Sequence, residues 1–270
     1  TNLKGEARTR IADAVKELFP QVKKQGGAGK KRNVINIKVT GTERDVAQIA
    51  SNKTFQSYQL NVNKDGVFIV SPTEAGAFYA LQTLVGLQKA PNTLQGCKVV
   101  DEPRFNWRGY MIDCSRHYWT PAFIKKQIDM MAHFKLNRLH LHMVDGAGWR
   151  IQVDSYPLLT QKTAYRTSSD WNKWWIGGER TYCESNAPGA YGGFYTKQEL
   201  RDIVAYAAKK HIVVLPEIEM PGHSNEVFAA YPNLTCEGKA YTSPDFCPGN
   251  DSVFTFLEGV LTEVMQLFPS

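Results

Sequence analysis

Arg116, Asp145, Glu219 and His223 are side-chain types that hydrolytic chemistry uses, and each closely follows a short apolar run. A planar guanidinium with its fork of donors holds a diol or a carboxylate in one orientation. An Asp beside a His can hold and tune a proton near neutral pH. A second donor set overlaps the first: His140-Leu-His142 with Asp145, Glu219 and His223. Hard and borderline ligands at strand ends are what metal-dependent barrel hydrolases require. Strand alternation weighs against this second reading. His140 and His142 share one face and Asp145 points to the other, so they converge only through a bulge. Hydrogen-bonded core histidines are therefore expected, with no metal and no cofactor.

The elements that must position these residues alternate between strand and helix from Trp107 onward. Gly109 to Asp113 is a first apolar run; Thr120-Pro121 then supplies an N-cap and first turn for a helix reaching about Lys135. Arg138 to Val144 is the second run. A long Trp- and Gly-rich loop leads to Thr196-Lys-Gln-Glu199, a capping box opening a helix that ends near Lys210. Ile212 to Ile218 is the third run. A last helix starts near Ser252 and places Val253, Phe256, Leu257, Val260, Leu261, Val264 and Phe268 on one stripe. Met130, Met131 and Phe134, at helical spacing, are expected in the core. Trp171, Trp174, Trp175 and Tyr182 have faces that suit a pyranose ring, although loop packing is the first expectation.

Repeated βα units predict an α/β fold of the (β/α)8 TIM-barrel type, with chemistry in the loops after the strands. Arg116 follows the first strand, Asp145 ends the second, and Glu219 and His223 follow the third. Only three such units follow Trp107, whereas a closed barrel has eight, so the sheet should keep an open edge.

Residues 1–103 read as a small α+β domain ahead of the barrel portion, 104–270. A helical stretch from about Glu6 to Phe19 stops at Pro20; an extended run Val34 to Val39 and a helical or turn stretch after Thr42 follow. Ser57 to Val62 and Val67 to Val70 flank Asn63-Lys-Asp-Gly66, a hairpin signal. Thr73 to Gln88 has Phe78, Leu81, Leu84, Val85 and Leu87 at helical spacing.

The 270 residues carry 43% hydrophobic and 21% charged side chains, an ordinary globular balance that excludes disordered and collagen-like classes. No window approaches ~20 uninterrupted apolar residues, so no helix is expected to span a bilayer. The net charge of +6 is modest for this surface, and nucleic acid is not implied. The densest basic stretch, Lys23, Lys24, Lys30, Lys31 and Arg32, is broken by glycines and lacks interleaved aromatics; a solvated loop is expected. Of five cysteines, only Cys236 and Cys247 suggest a pair, closing a loop with Gly238, Ser243 and Pro244; a bridge there would favour an oxidising compartment. Asn52-Lys-Thr54, Asn233-Leu-Thr235 and Asn250-Asp-Ser252 fit the glycosylation triplet, a pattern short enough to arise by chance.

Five ordered motifs carry a resemblance: Trp-Arg-Gly-Tyr-Met-Ile-Asp-Cys-Ser-Arg-His from Trp107, Leu-His-Leu-His-Met-Val-Asp from Leu139, Gly-Trp-Arg at 148–150, Gly-Gly-Phe-Tyr-Thr from Gly192, and Pro-Glu-Ile-Glu-Met-Pro-Gly-His from Pro216. With Glu74-Ala-Gly-Ala-Phe-Tyr-Ala-Leu-Gln-Thr-Leu84 in the first domain, the chain resembles glycoside hydrolase family 20, the β-N-acetylhexosaminidases, along nearly its whole length. The resemblance implies exo-hydrolysis of terminal β-linked N-acetylglucosamine or N-acetylgalactosamine from a small carbohydrate or glycoconjugate. It also implies a retaining mechanism in which the substrate's own acetamido oxygen attacks the anomeric carbon.

Residue by residue, Arg116 matches the arginine that binds sugar hydroxyls. Asp145 and His223 match a hydrogen-bonded pair behind the acid, and Glu219 stands in the site wall where the family often has Asp. Asp145-Gly-Ala-Gly148 departs from the frequent Asp-Asp-Gln-Gly. The family's polarising Asp and acid Glu lie together after the fourth barrel strand. The one adjacent Asp-Glu here, Asp101-Glu102, precedes Pro103 far upstream and reads as a linker or surface pair. The 270 residues alone are thus expected to be inactive. The rival readings are a non-catalytic sugar-binding protein or remnant and a metal-dependent barrel hydrolase. The chain opens at Thr1 with no basic or apolar leader, so the expected extracytoplasmic location (periplasmic, secreted or lysosomal) rests on substrate class and the one bridge. The oligomeric state stays open.

Overall fold

A computed structural model describes residues 1–22, 34–41, 48–49, 52–90 and 93–269. The basic stretch at 23–32 and the stretch 42–47 lie outside the described residues. The chain begins with helix α1 (Gly5–Leu18), which buries Ala7, Ile11 and Ala14, one side chain per turn on the same face. Strand β1 (Val34–Val39) runs parallel to β3 (Gly66–Ser71), which pairs antiparallel with β2 (Tyr58–Asn63) through the expected Asn63–Gly66 turn. Helix α2 (Glu74–Gly86), capped by Thr73, covers the sheet, and β4 (Cys97–Asp101) completes the order β1-β3-β2-β4. Gly66 has a φ of 144°, and a Cβ there would lie 2.5 Å from the Val34 carbonyl, so the turn admits glycine.

The second layer is a three-stranded parallel sheet in the order β7 (Val213–Glu217), β6 (Arg138–His142), β5 (Gly109–Asp113). Helix α3 (Pro121–His133) follows β5. After β6 come a short helix α4 (Leu158–Thr163) and the long α5 (Lys197–Ala208). After β7 come α6 (Asn225–Ala230) and α7 (Asp251–Met265). This is an α/β fold with three βα units of a barrel preceded by a small α+β unit. Thr120 caps α3 and Thr196–Glu199 forms the capping box of α5, as the sequence predicts. Cys236 and Cys247 are bridged.

Three expectations need correction. The second run is a strand only to His142, because Val144–Asp145 folds back on Gly148–Trp149 as a tight two-residue ladder. Phe134 is 65% exposed: α3 ends at His133, so the helical spacing that buries Met131 no longer applies one residue on. On α7 only Val253, Phe256, Val260 and Val264 are buried, and Leu257 and Leu261 flank the stripe half-buried.

A clamp joins the two layers. Lys135 Nζ lies 3.0 Å from Asp101 Oδ2 and 2.8 Å from the Tyr58 hydroxyl, while Tyr58 donates to the same Asp101 oxygen at 2.6 Å. Glu102 pairs with Lys53 at 3.1 Å. The Asp101-Glu102 pair is therefore structural, as expected.

Candidate active site

Parallel register sets the site floor. Asp113, His142 and Glu217 are the last residues of β5, β6 and β7 and stand side by side across the sheet. In-register residues of parallel strands share a face, so three titratable side chains line up at the C-terminal end. Asp113 and Glu217 were not among the residues singled out from sequence, although Glu217 belongs to a quoted motif and lies two positions before Glu219 in an alternating run.

Asp145 is the hub. Its carboxylate, 3% exposed as a residue, meets Arg116 Nη2 at 2.8 Å, His223 Nδ1 at 3.0 Å and His142 Nε2 at 3.2 Å, all through Oδ2. Burial alone would raise its pKa, but the two histidines and Arg116 outweigh it and hold the group below the usual carboxylate range. Arg116 is anchored from its other side: its backbone N–H donates to Asp113 Oδ1 at 2.9 Å and its Nη1 to Asp113 Oδ2 at 3.0 Å. The guanidinium reaches the cleft already oriented.

His142 Nδ1 donates to Glu217 Oε2 at 2.6 Å, and the same oxygen lies 2.7 Å from His140 Nε2. The Asp145 hydrogen bond is the largest influence on His142. It outweighs burial and, helped by Glu217, lifts the imidazole pKa to about 9. Arg116 Nη1 also lies 3.0 Å from His142 Nε2, so the guanidinium and the Asp145 carboxylate meet at the same ring nitrogen. Burial works to raise the Glu217 pKa, but His142 and His140 more than offset it, and the carboxyl is held low.

The expectation that alternation keeps Asp145 away from the histidines fails. The strand ends at His142, so the hairpin at 144–149 swings Asp145 back over it. Donor atoms of His142, Asp145 and Glu219 lie within 4.8 Å of one another. That cluster suits a cation poorly. The Arg116 guanidinium already sits 2.8 Å from Asp145 Oδ2 and 3.0 Å from His142 Nε2, a fixed positive charge where a cation would have to bind. His140 and His142 are hydrogen-bonded as expected, but the side chain of His140 stays 41% exposed.

Arg150, in the Gly-Trp-Arg motif, staples the loops around this floor. Fully buried, its guanidinium donates to the carbonyls of Cys114, Ser115, Ala164 and Gly193. Desolvation pushes its pKa down to about 10. Gly148 leaves the room, since a Cβ there would lie 2.6 Å from Arg150 Nη2, and its φ of 154° also disfavours other residues.

The floor opens into a cleft of about 570 Å³, walled by Arg116, Asp145 and His223 and by Trp171, Trp175 and Arg180 of the loop after β6. Of the four aromatic residues read from the sequence, Trp174 is fully buried, as loop packing requires, and Trp171 and Trp175 line the cleft. Tyr182 donates to the Gly146 carbonyl at 2.6 Å and stacks on Tyr241, joining the loop after β6 to that after β7. His223 reaches the cleft from a left-handed backbone (φ 54°), with its side chain 64% exposed. Glu219 is half-buried beside His142 and Asp145. Behind them lies Glu226, which sequence reading missed. It is 1% exposed, and neither carboxylate oxygen has a hydrogen-bond partner. Burial, with Asp145 and Glu219 nearby, pushes its pKa up to about 8.

Charged side chains gathered at the C-terminal ends of parallel barrel strands, beside a sugar-sized cleft, are the arrangement of a (β/α)8 hydrolase. Residues 105–270 match the catalytic domain of glycosyl hydrolase family 20 and residues 4–102 match that family's domain 2; the chain belongs to this family. It is 39% identical over 232 residues to a β-hexosaminidase of Porphyromonas gingivalis, covering 79% of this chain and 28% of the relative. It is 34% identical over 193 residues to an N,N'-diacetylchitobiase of Vibrio harveyi, covering 68% and 21%. The fold superposes on the exo-β-N-acetylglucosaminidase of Vibrio harveyi solved with N-acetylglucosamine (TM-score 0.76, 28% identity, 100% of this chain and 41% of that one). It also superposes on the Streptomyces plicatus N-acetyl-β-hexosaminidase (TM-score 0.75, 30% identity, 99% and 52%). The chain spans 28% of the length of the Porphyromonas relative and 43% of that of a similar enzyme from Akkermansia muciniphila.

Proposed function

We propose that the protein is a retaining β-N-acetylhexosaminidase that removes terminal β-linked N-acetylglucosamine or N-acetylgalactosamine from a small carbohydrate or glycoconjugate. In this reading the 270 residues supply the sugar-orienting and proton-tuning part of its site. The observation that carries it is the Asp145 carboxylate, gripped at once by Arg116, His142 and His223 in the wall of the cleft. The names of the relatives and the N-acetylglucosamine-bound neighbour support the same substrate.

The substrate's acetamido oxygen attacks the anomeric carbon as the bond to the leaving oxygen breaks, and water later opens the cyclic intermediate. Arg116, braced by Asp113, presents its fork to ring hydroxyls. His223, hydrogen-bonded to Asp145 and exposed to the cleft, steadies the acid that protonates the leaving oxygen; Glu219 stands beside His142 and Asp145, behind the residues that line the cleft. Asp101-Glu102 is bound into the domain clamp and is not that acid pair. No Asp-Glu dipeptide is among the residues lining the cleft. We further propose an extracytoplasmic location, supported by the Cys236–Cys247 bridge, and a division into units 1–103 and 104–270.

The test pairs binding with turnover. N-acetylglucosamine titrated into the ¹⁵N-labelled chain should shift the Arg116 Nε and His223 ring signals, with glucose giving no such shift and Arg116→Ala abolishing it. The purified 270 residues should release no phenol from an aryl β-N-acetylglucosaminide. Shifts elsewhere than the cleft, or release at an ordinary enzymatic rate, would overturn the corresponding half of the reading.

A further inference from the structure

Arg180 is a cleft residue that pairs with no carboxylate among the described residues. Its backbone sits at φ 36°, a left-handed conformation that costs a non-glycine residue energy and persists only when its surroundings hold it. Here they do. Its N–H donates to the Trp174 carbonyl at 3.0 Å, its Nε to the Trp175 carbonyl at 3.1 Å, and its guanidinium lies 4.2 Å from the Trp175 ring centroid. That ring in turn stacks on Trp171 at 5.4 Å and 10°, and Arg166 lies over Trp171 at 5.4 Å. The two indoles are thus engaged by each other and by cations, so the aromatic faces that line the cleft carry positive charge.

Among the described residues, no carboxylate pairs with Arg180 and its Nη groups carry no hydrogen bond. The neighbouring Glu179 is taken by Lys173 at 3.4 Å. Asp145 is the one acid lining the cleft, and Arg116, His142 and His223 already neutralise it. A volume of about 570 Å³ lies in the range that encloses a drug-sized ligand, which leaves room beyond a single pyranose.

We propose that this part of the cleft is a subsite for an anionic glycan unit, a uronic acid linked to the terminal N-acetylhexosamine, with Arg180 as the residue that selects its carboxylate. A planar guanidinium held over an aromatic ring and tethered at Nε keeps its two Nη groups for two-point pairing with a carboxylate, so less rotamer freedom is lost when the ligand arrives. The proposal rests on the N-acetylhexosamine reading and adds the class of sugar beside it.

Two disaccharides decide the matter, both with terminal β-N-acetylglucosamine, one on glucuronic acid and the other on glucose. Titrated calorimetrically at 50 mM salt, the acidic disaccharide should bind the chain at least fivefold more tightly, and the advantage should shrink towards parity at 0.5 M salt. Arg180→Gln, shown folded by an unchanged melting temperature, should remove the advantage and leave the neutral disaccharide within twofold of the unsubstituted chain. Equal binding of the two sugars, or an acidic preference that survives Arg180→Gln, would overturn the proposal and leave the N-acetylhexosamine reading intact. Failure of the chain to bind either disaccharide would overturn both.

Discussion

Two buried acids behind the same cleft, Asp145 and Glu226, are solved in opposite ways. Asp145 is surrounded by an arginine and two histidines and is ionised. Glu226, at the start of α6, is buried just as deeply with neither oxygen partnered, so the interior keeps it protonated. An unpaired charge in a low-dielectric interior costs several kcal/mol, and a neutral carboxyl avoids most of that cost. The chain therefore places its negative charge where three donors focus it on the cleft and suppresses it one layer behind.

The comparison breaks most readily at Asp145. Asp145→Asn should destabilise the fold by about 3–5 kcal/mol, because it removes the buried anion that Arg116, His142 and His223 share. In the same variant the His142 imidazole, read by ¹⁵N chemical shift, should lose its elevation from about 9 and titrate closer to an ordinary histidine. An unchanged His142 titration would remove Asp145 as the hub.

Glu226→Gln sharpens the other side. Because the folded pKa of Glu226 lies above its unfolded value, its stabilisation is complete below about pH 4.5 and is lost as pH rises through about 8. Denaturant melts should show the unsubstituted chain losing stability between those limits by roughly 3–5 kcal/mol more than the Gln variant, with the two nearly equal at pH 4. Parallel pH profiles would mean that Glu226 is ionised or solvated.

The smallest effect belongs to His223→Ala. Its side chain is mostly exposed, so urea melts should move by no more than about 1 kcal/mol at neutral pH. A loss comparable to that of Asp145→Asn would instead make His223 a structural member of the hub.

Much of this arrangement was legible in the residues because it is local. Thr120-Pro121, the Thr196–Glu199 capping box and the Asp65-Gly66 turn are interactions between neighbours, and each appears where the spacing placed it. Arg116, Asp145 and His223 were found through motif and position after a strand, and the fold brings them together. What escaped was set by non-neighbours. Phe134 continues a helical spacing that the helix itself abandons. Asp145 was assigned to the wrong face because a reversal after His142, not strand alternation, determines its direction. Asp113, Glu217 and Glu226 become visible only once three strands are aligned and a helix is packed behind them.

The amino-acid sequence alone thus determined the order of elements, the parallel βα class and the donors available to the site, since periodicity, caps and side-chain chemistry belong to each segment. The tertiary structure alone decided which acid is charged and which is neutral, which indoles are buried, and that Arg180 has no carboxylate partner among the described residues. Those outcomes depend on burial and on partners tens of residues away, and no single segment contains them.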